Sequence, residues 1–103
     1  MIEIISTELS LLDKIRKISE HYDKYTQIRK SQEECQELLD ELYNAVYIND
    51  KITLPDNTWS EIADVIIMCI QLAMQHGKED IVREQMEYKV NRQLERVARE
   101  KED

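Results

Sequence analysis

Phenylalanine is absent from this chain of 103 residues, and glycine and proline occur once each. With so few turn formers, 6% aromatic residues and 35% charged ones, there is little material for a multi-stranded sheet. The composition suits a few long amphipathic helices instead. Positive charge is also scarce: 14 Lys and Arg against 22 Asp and Glu give a net charge of −8. That balance is wrong for gripping a nucleic-acid backbone or an anionic lipid surface, which both need basic residues in excess. The most apolar stretch, residues 62–74, is too short to cross a bilayer and carries Asp64 and Gln71. The opening MIEIISTELS lacks a basic segment followed by an apolar run. It does not read as a signal peptide, and a cytoplasmic location is expected. Cys35 and Cys69 lack the paired spacing of a zinc site or disulfide framework, and read as reduced, buried, small apolar side chains.

What is present is helical periodicity, enough for one domain over residues 1–103 and not two. Leu9, Leu12, Ile15 and Ile18 predict a first helix over residues 7–20. A second is expected over 26–47, with Ile28, Leu38, Leu42, Ala45 and Val46 turned inward. The segment around Pro55 reads as an ordered loop. Thr58-Trp59-Ser60-Glu61 matches a capping box and predicts a third helix from residue 58 to 76, closed by Gly77 in the left-handed conformation. Trp59 is expected to pack near the start of that helix. A fourth helix is expected from residue 78 or 79 to 99, with Val82, Met86, Val90, Leu94 and Val97 on one stripe. The expected fold is all-α, a four-helix bundle. Its third helix is apolar on nearly every side, and such a helix must be surrounded. Its neighbours are too few to enclose it, so a homodimer or larger homo-oligomer is expected.

Asp64 lies within that apolar helix, three residues after Glu61 and therefore on the same face. A buried carboxylate has to be neutralised by a proton, a basic partner or a metal, and the third helix supplies no Lys or Arg. Glu34 and Glu37 repeat the same spacing on the second helix. Packed antiparallel, the two pairs put four carboxylates around one cavity, an oxygen-only donor set that selects Mg²⁺ or Mn²⁺ over zinc. No Gly-rich phosphate loop is present, and neither His21 nor His76 has an acid three residues ahead as a di-iron bundle requires.

Glu33-Glu34-Cys35-Gln36-Glu37 followed by Glu61-Ile62-Ala63-Asp64, with 23 residues (38–60) between, resembles the EExxE…ExxD signature of the MazG-like all-α nucleoside triphosphate pyrophosphohydrolases. The resemblance extends through HYDKYTQIRKSQEECQELLDEL, EIADVIIMCIQLA and KVNRQLER, which look like segments of small phage or prophage members. It implies a MazG-like four-helix unit assembling as a homodimer or tetramer, with Mg²⁺-dependent cleavage of a nucleoside triphosphate between the α- and β-phosphates. By position it implies Glu34, Glu37, Glu61 and Asp64 as metal ligands and Glu33 as the residue that orients or deprotonates the water. The basic closing segment implies Lys89 and Arg92, with Asn91, as phosphate contacts. Asp23 departs from the glycine that similar sequences often carry after His-Tyr, which leaves the turn before the second helix open. Two other readings stand beside this one: a non-catalytic acidic helical interaction protein, and a phosphoribosyl-ATP pyrophosphohydrolase.

Overall fold

Helix-forming residues fill almost all of residues 9–102, the part of the chain that the computed structural model describes. Helix α1 is Leu9–His21, α2 is Lys24–Tyr43, α3 is Thr58–Gln75 and α4 is Glu79–Glu102; strands β1 (Val46–Ile48) and β2 (Lys51–Thr53) lie between α2 and α3. The expected first turn of α1, residues 7 and 8, lies outside the described residues.

Asp23 settles the turn between α1 and α2. It is extended (φ −73°, ψ 163°) and caps α2, accepting from the Thr26 amide at 2.7 Å and the Thr26 hydroxyl at 3.0 Å. Those donors, the amide first, hold its carboxyl below the usual range. An aspartate with a donor three residues on replaces the flexibility that a glycine would give.

The second helix is shorter than expected. It stops at Tyr43, and Val46 is in a strand. Val46–Ile48 pairs antiparallel with Lys51–Thr53, Ile48 opposite Lys51. The two-residue connection, Asn49 and Asp50, has both φ angles positive (52° and 63°), as a primed hairpin turn requires. β-branched and aromatic residues on either side of an Asn-Asp pair thus override helical continuation. The third helix ends as expected. Gly77 has φ +62°, with Lys78 N–H donating to Ala73 O at 2.9 Å and Gly77 N–H to Met74 O at 3.2 Å. Both bonds of the Schellman motif are present.

Helices α1 and α2 both pack on α3, and α2 runs antiparallel to it. Gln75 pairs with Ser19 and Tyr22, Met68 with Gln27, and Asn57 with Glu41, so position falls in one helix as it rises in the other. The seam is polar. Among the described residues Ile15 is the one fully buried apolar side chain, whereas Gln27 (0% exposed), Thr58 (0%) and Gln71 (1%) are sealed off completely. Gln27 Nε2 lies 3.4 Å from Met68 Sδ, and Gln75 Nε2 donates to Ser19 O (2.9 Å) and Tyr22 O (2.7 Å). The carbonyl oxygens of Gln27 and Gln71 are buried with no partner among the described residues.

Much of the apolar surface of α2 and α4 is exposed, whereas most apolar residues of α3 are half-buried. Helix α4 meets α3 only lightly, and every residue from Asp80 to Lys101 is exposed. Val82, Met86, Val90, Leu94 and Val97 therefore form an open stripe rather than an inward one. Ile28, Leu42 and Val46 are likewise exposed, as are Trp59, Cys35 and Cys69, all of which were expected to be covered. The helical content agrees with an all-α reading apart from the small hairpin. No described helix is long and apolar enough to cross a membrane.

Candidate metal centre

The polar seam delivers Glu34 to one end of the α2–α3 pair. Gln27, Ser31 and Glu34 follow one another at helical spacing on the face of α2 turned to α3, and Glu61, Asp64 and Met68 do the same on α3. One carboxylate oxygen from each of Glu34, Glu61 and Asp64 lies within 4.8 Å of the others, and all three residues are half-buried. Oε2 of Glu34 and Oε2 of Glu61 are shielded from solvent and accept no hydrogen bond from the described residues.

Glu37 stands one turn further along α2 and is exposed. Its charge reaches both Glu34 and Glu61. Desolvation, then the charges of Glu37, Asp64 and Glu61, raise the Glu34 carboxyl above its ordinary value. Glu61 is raised as well, by desolvation first. The hydrogen bond from Asn57 opposes that rise, and Glu37 and Asp64 add to it. Among the described residues no Lys or Arg is paired with this group; the ion pairs are Arg16–Glu79, Arg29–Glu33 and Arg83–Asp80. Three converging carboxylates, two of them with a shielded and unpartnered oxygen, form a group that could hold a metal ion.

The start of α3 differs from the expected capping box. Thr58 is the first helical residue, and its hydroxyl is buried without a partner. The N-cap is Asn57, in the helical region (φ −72°, ψ −11°), and its side chain makes no capping bond. Its Nδ2 donates instead to Glu61 Oε1 at 2.9 Å and lies 3.5 Å from Glu41 Oε1. Forgoing a side-chain cap costs about 1 kcal/mol in typical helices. Glu61 thus accepts from Asn57 through Oε1, while its Oε2 is shielded from solvent.

No protein-family model, curated protein or solved structure matches this chain.

The other candidate residues stand apart from the cluster. Glu33 is exposed on α2 in a 3.9 Å ion pair with Arg29, beside a shallow groove of about 250 Å³ that Thr26 and Lys30 also line. Lys89, Asn91 and Arg92 are exposed on α4, without a hydrogen bond or ion pair to the acidic residues; Arg92 lies 5.7 Å from the Tyr88 ring centre. A second cavity, about 290 Å³, opens at the α1–α2 junction between Arg16, Lys24 and Gln75. Asn57 is the contact that sequence reasoning missed. Its signal was legible as a polar residue four before Glu61, but the capping-box pattern at Thr58 masked it.

Proposed function

We propose that this chain is a Mg²⁺-dependent nucleoside triphosphate pyrophosphohydrolase, with water and a (d)NTP giving a (d)NMP and pyrophosphate. The observation that carries the reading is the pair of shielded, unpartnered carboxylate oxygens, one from each helix, converging with Asp64. The EExxE…ExxD arrangement of residues 33–37 and 61–64 supplies the reaction class.

Glu34, Glu61 and Asp64, with Glu37 closing the outer side, would hold the ion, Mn²⁺ serving as an alternative to Mg²⁺. A divalent ion there neutralises phosphate charge that the bare carboxylates repel and stabilises the pyrophosphate leaving group. Glu33, next to Glu34 but exposed, orients the attacking water or takes its proton. Its surface pair with Arg29 holds it only weakly, because exposed ion pairs contribute little. Lys89, Arg92 and Asn91 supply donors to the phosphates from α4.

Self-association belongs to the same proposal. The open stripe on α4 and the thin apolar interior are what an isolated half of a larger helical assembly shows, and a homodimer or homotetramer covers them. A monomer by sedimentation at micromolar concentration would refute that part.

Purified protein with Mg²⁺ should release pyrophosphate from at least one (d)NTP, and Glu37→Gln or Asp64→Asn should abolish the release. A screen of common and damaged (d)NTPs that gives no turnover, joined to no stabilisation by Mg²⁺ or Mn²⁺, would overturn the enzyme and favour a non-catalytic acidic interaction protein. Turnover confined to phosphoribosyl-ATP would redirect the substrate assignment while keeping the metal chemistry.

A further inference from the structure

Asn57 occupies the N-cap of α3, where asparagine ordinarily accepts a hydrogen bond from the free amides of the first turn. Here it does not. Its side chain makes no capping bond, and its amide nitrogen is directed at Glu61 Oε1 (2.9 Å), with Glu41 Oε1 on the far side at 3.5 Å. An N-cap side chain that turns to two carboxylates instead of the first-turn amides marks a position whose side chain has other work.

The geometry indicates what that work is. A free glutamate has three flexible torsions and can turn either oxygen toward any neighbour. Within the acidic group, repulsion from Glu34, Glu37 and Asp64 would swing Glu61 out toward solvent. The Asn57 amide is the one side-chain donor that the described structure aims at the Glu61 carboxylate, and it grips Oε1. The other oxygen, Oε2, is left shielded and without a partner among the described residues, in a side chain whose carboxylate converges with those of Glu34 and Asp64. Glu41 accepts from the same amide group, though at a long distance, and so steadies Asn57 from α2. The contact thus spans both helices of the site.

We propose that Asn57 is a positioning residue for the metal centre: it fixes Glu61 so that Oε2 is presented to a divalent cation, and Glu41 orients Asn57 in turn. This rests on the reading of Glu34, Glu61 and Asp64 as a cation site. It assigns Asn57 no contact with substrate or ion. Outer partners that orient metal-binding side chains typically change metal affinity by about 10- to 100-fold when removed.

The test uses the full chain and Mn²⁺ alone, followed by titration calorimetry and by the electron paramagnetic resonance of free Mn²⁺. Thermal unfolding in chelator runs alongside. Asn57→Ser keeps a good N-cap residue but is too short to reach Glu61, and Asn57→Asp keeps the shape while replacing the donor by an acceptor. Both variants are expected to bind Mn²⁺ about tenfold or more weakly than the parent, with an unchanged or higher unfolding midpoint in chelator. A purely structural role would instead lower the chelator midpoint and leave Mn²⁺ affinity alone, and that pattern overturns the proposal. Equal Mn²⁺ affinity in parent and variants also overturns it while leaving the metal site standing. Absence of Mn²⁺ binding to the parent sinks the site itself and this proposal with it. If Asn57→Ser does not fold, Asn57→Asp carries the same comparison.

Discussion

Replacing Glu34 by glutamine should stabilise the metal-free protein and weaken it relative to the parent once metal is added. Glu34 has a shielded oxygen, and its carboxylate converges with two others, one oxygen of each lying within 4.8 Å of the rest. Two full charges at that separation repel by ~0.9 kcal/mol in a water-like dielectric and ~3.5 kcal/mol at an effective constant of 20. For half-buried groups a relief of about 1–2 kcal/mol is reasonable, and the new amide can also donate to Asp64. In a domain of this size each kcal/mol moves the unfolding midpoint by roughly 4–8 °C. The assay is thermal unfolding by circular dichroism at fixed protein concentration, in chelator and again in saturating Mg²⁺ or Mn²⁺. At one hundred times its dissociation constant a cation adds about 2.7 kcal/mol to the parent, and far less to a variant missing a ligand. The order of stabilities should therefore cross between the two buffers. A Glu34→Gln protein less stable than the parent in chelator, or parallel shifts with metal, would refute the account of mutual repulsion relieved by a cation.

The same crowding predicts a pH dependence. Glu34 and Glu61 have folded values raised above 4.5, so their contribution to stability is complete below that pH and is lost as pH rises through the raised values. Metal-free protein should lose stability as pH rises above 4.5, and metal-induced stabilisation should grow over the same rise as protons cease to compete. Asp23 and Glu79, both lowered, act in the opposite sense. Their contributions are intact above 3.8 and 4.5 respectively and disappear as pH falls through their folded values, so the measurement belongs above pH 5. Replacing Lys89 and Arg92 together by Ala should raise the apparent Michaelis constant several-fold with kcat little changed; an unaltered constant would make them ordinary exposed charges of α4.

The helices were legible because their signals are local. Apolar spacing at three and four residues placed α1, α2, α3 and α4, and a single glycine marked the end of α3. The hairpin was hidden by composition. An expectation built on scarce glycine overlooked that Asn49 and Asp50 tolerate the left-handed region nearly as well in a two-residue turn. Glu34, Glu61 and Asp64 could be grouped from sequence because i, i+3 spacing and an apolar setting both point to a shared cavity. The role of Asn57 could not, since a residue at a helix start reads first as a cap, and only its rotamer shows otherwise. Nor could the exposure of Leu94 or Val90, because periodicity shows that a stripe exists and says nothing about which chain covers it.

The amides between α2 and α3 have a consequence for alignment. An apolar seam tolerates a slip of one turn, because one methyl group packs much like another. Here Gln75 is tied to Ser19 and Tyr22, Gln27 to Met68, and the carboxylates of Glu34 and Asp64 come together further along. Asp64 and Gln75 are eleven positions apart, about 16 Å along the axis. A displacement of one turn, about 5.4 Å, would break every rung of this ladder at once. The buried side chains thus act as a ruler: a mark read at the junction of α1 and α2 sets where the acids stand at the opposite end.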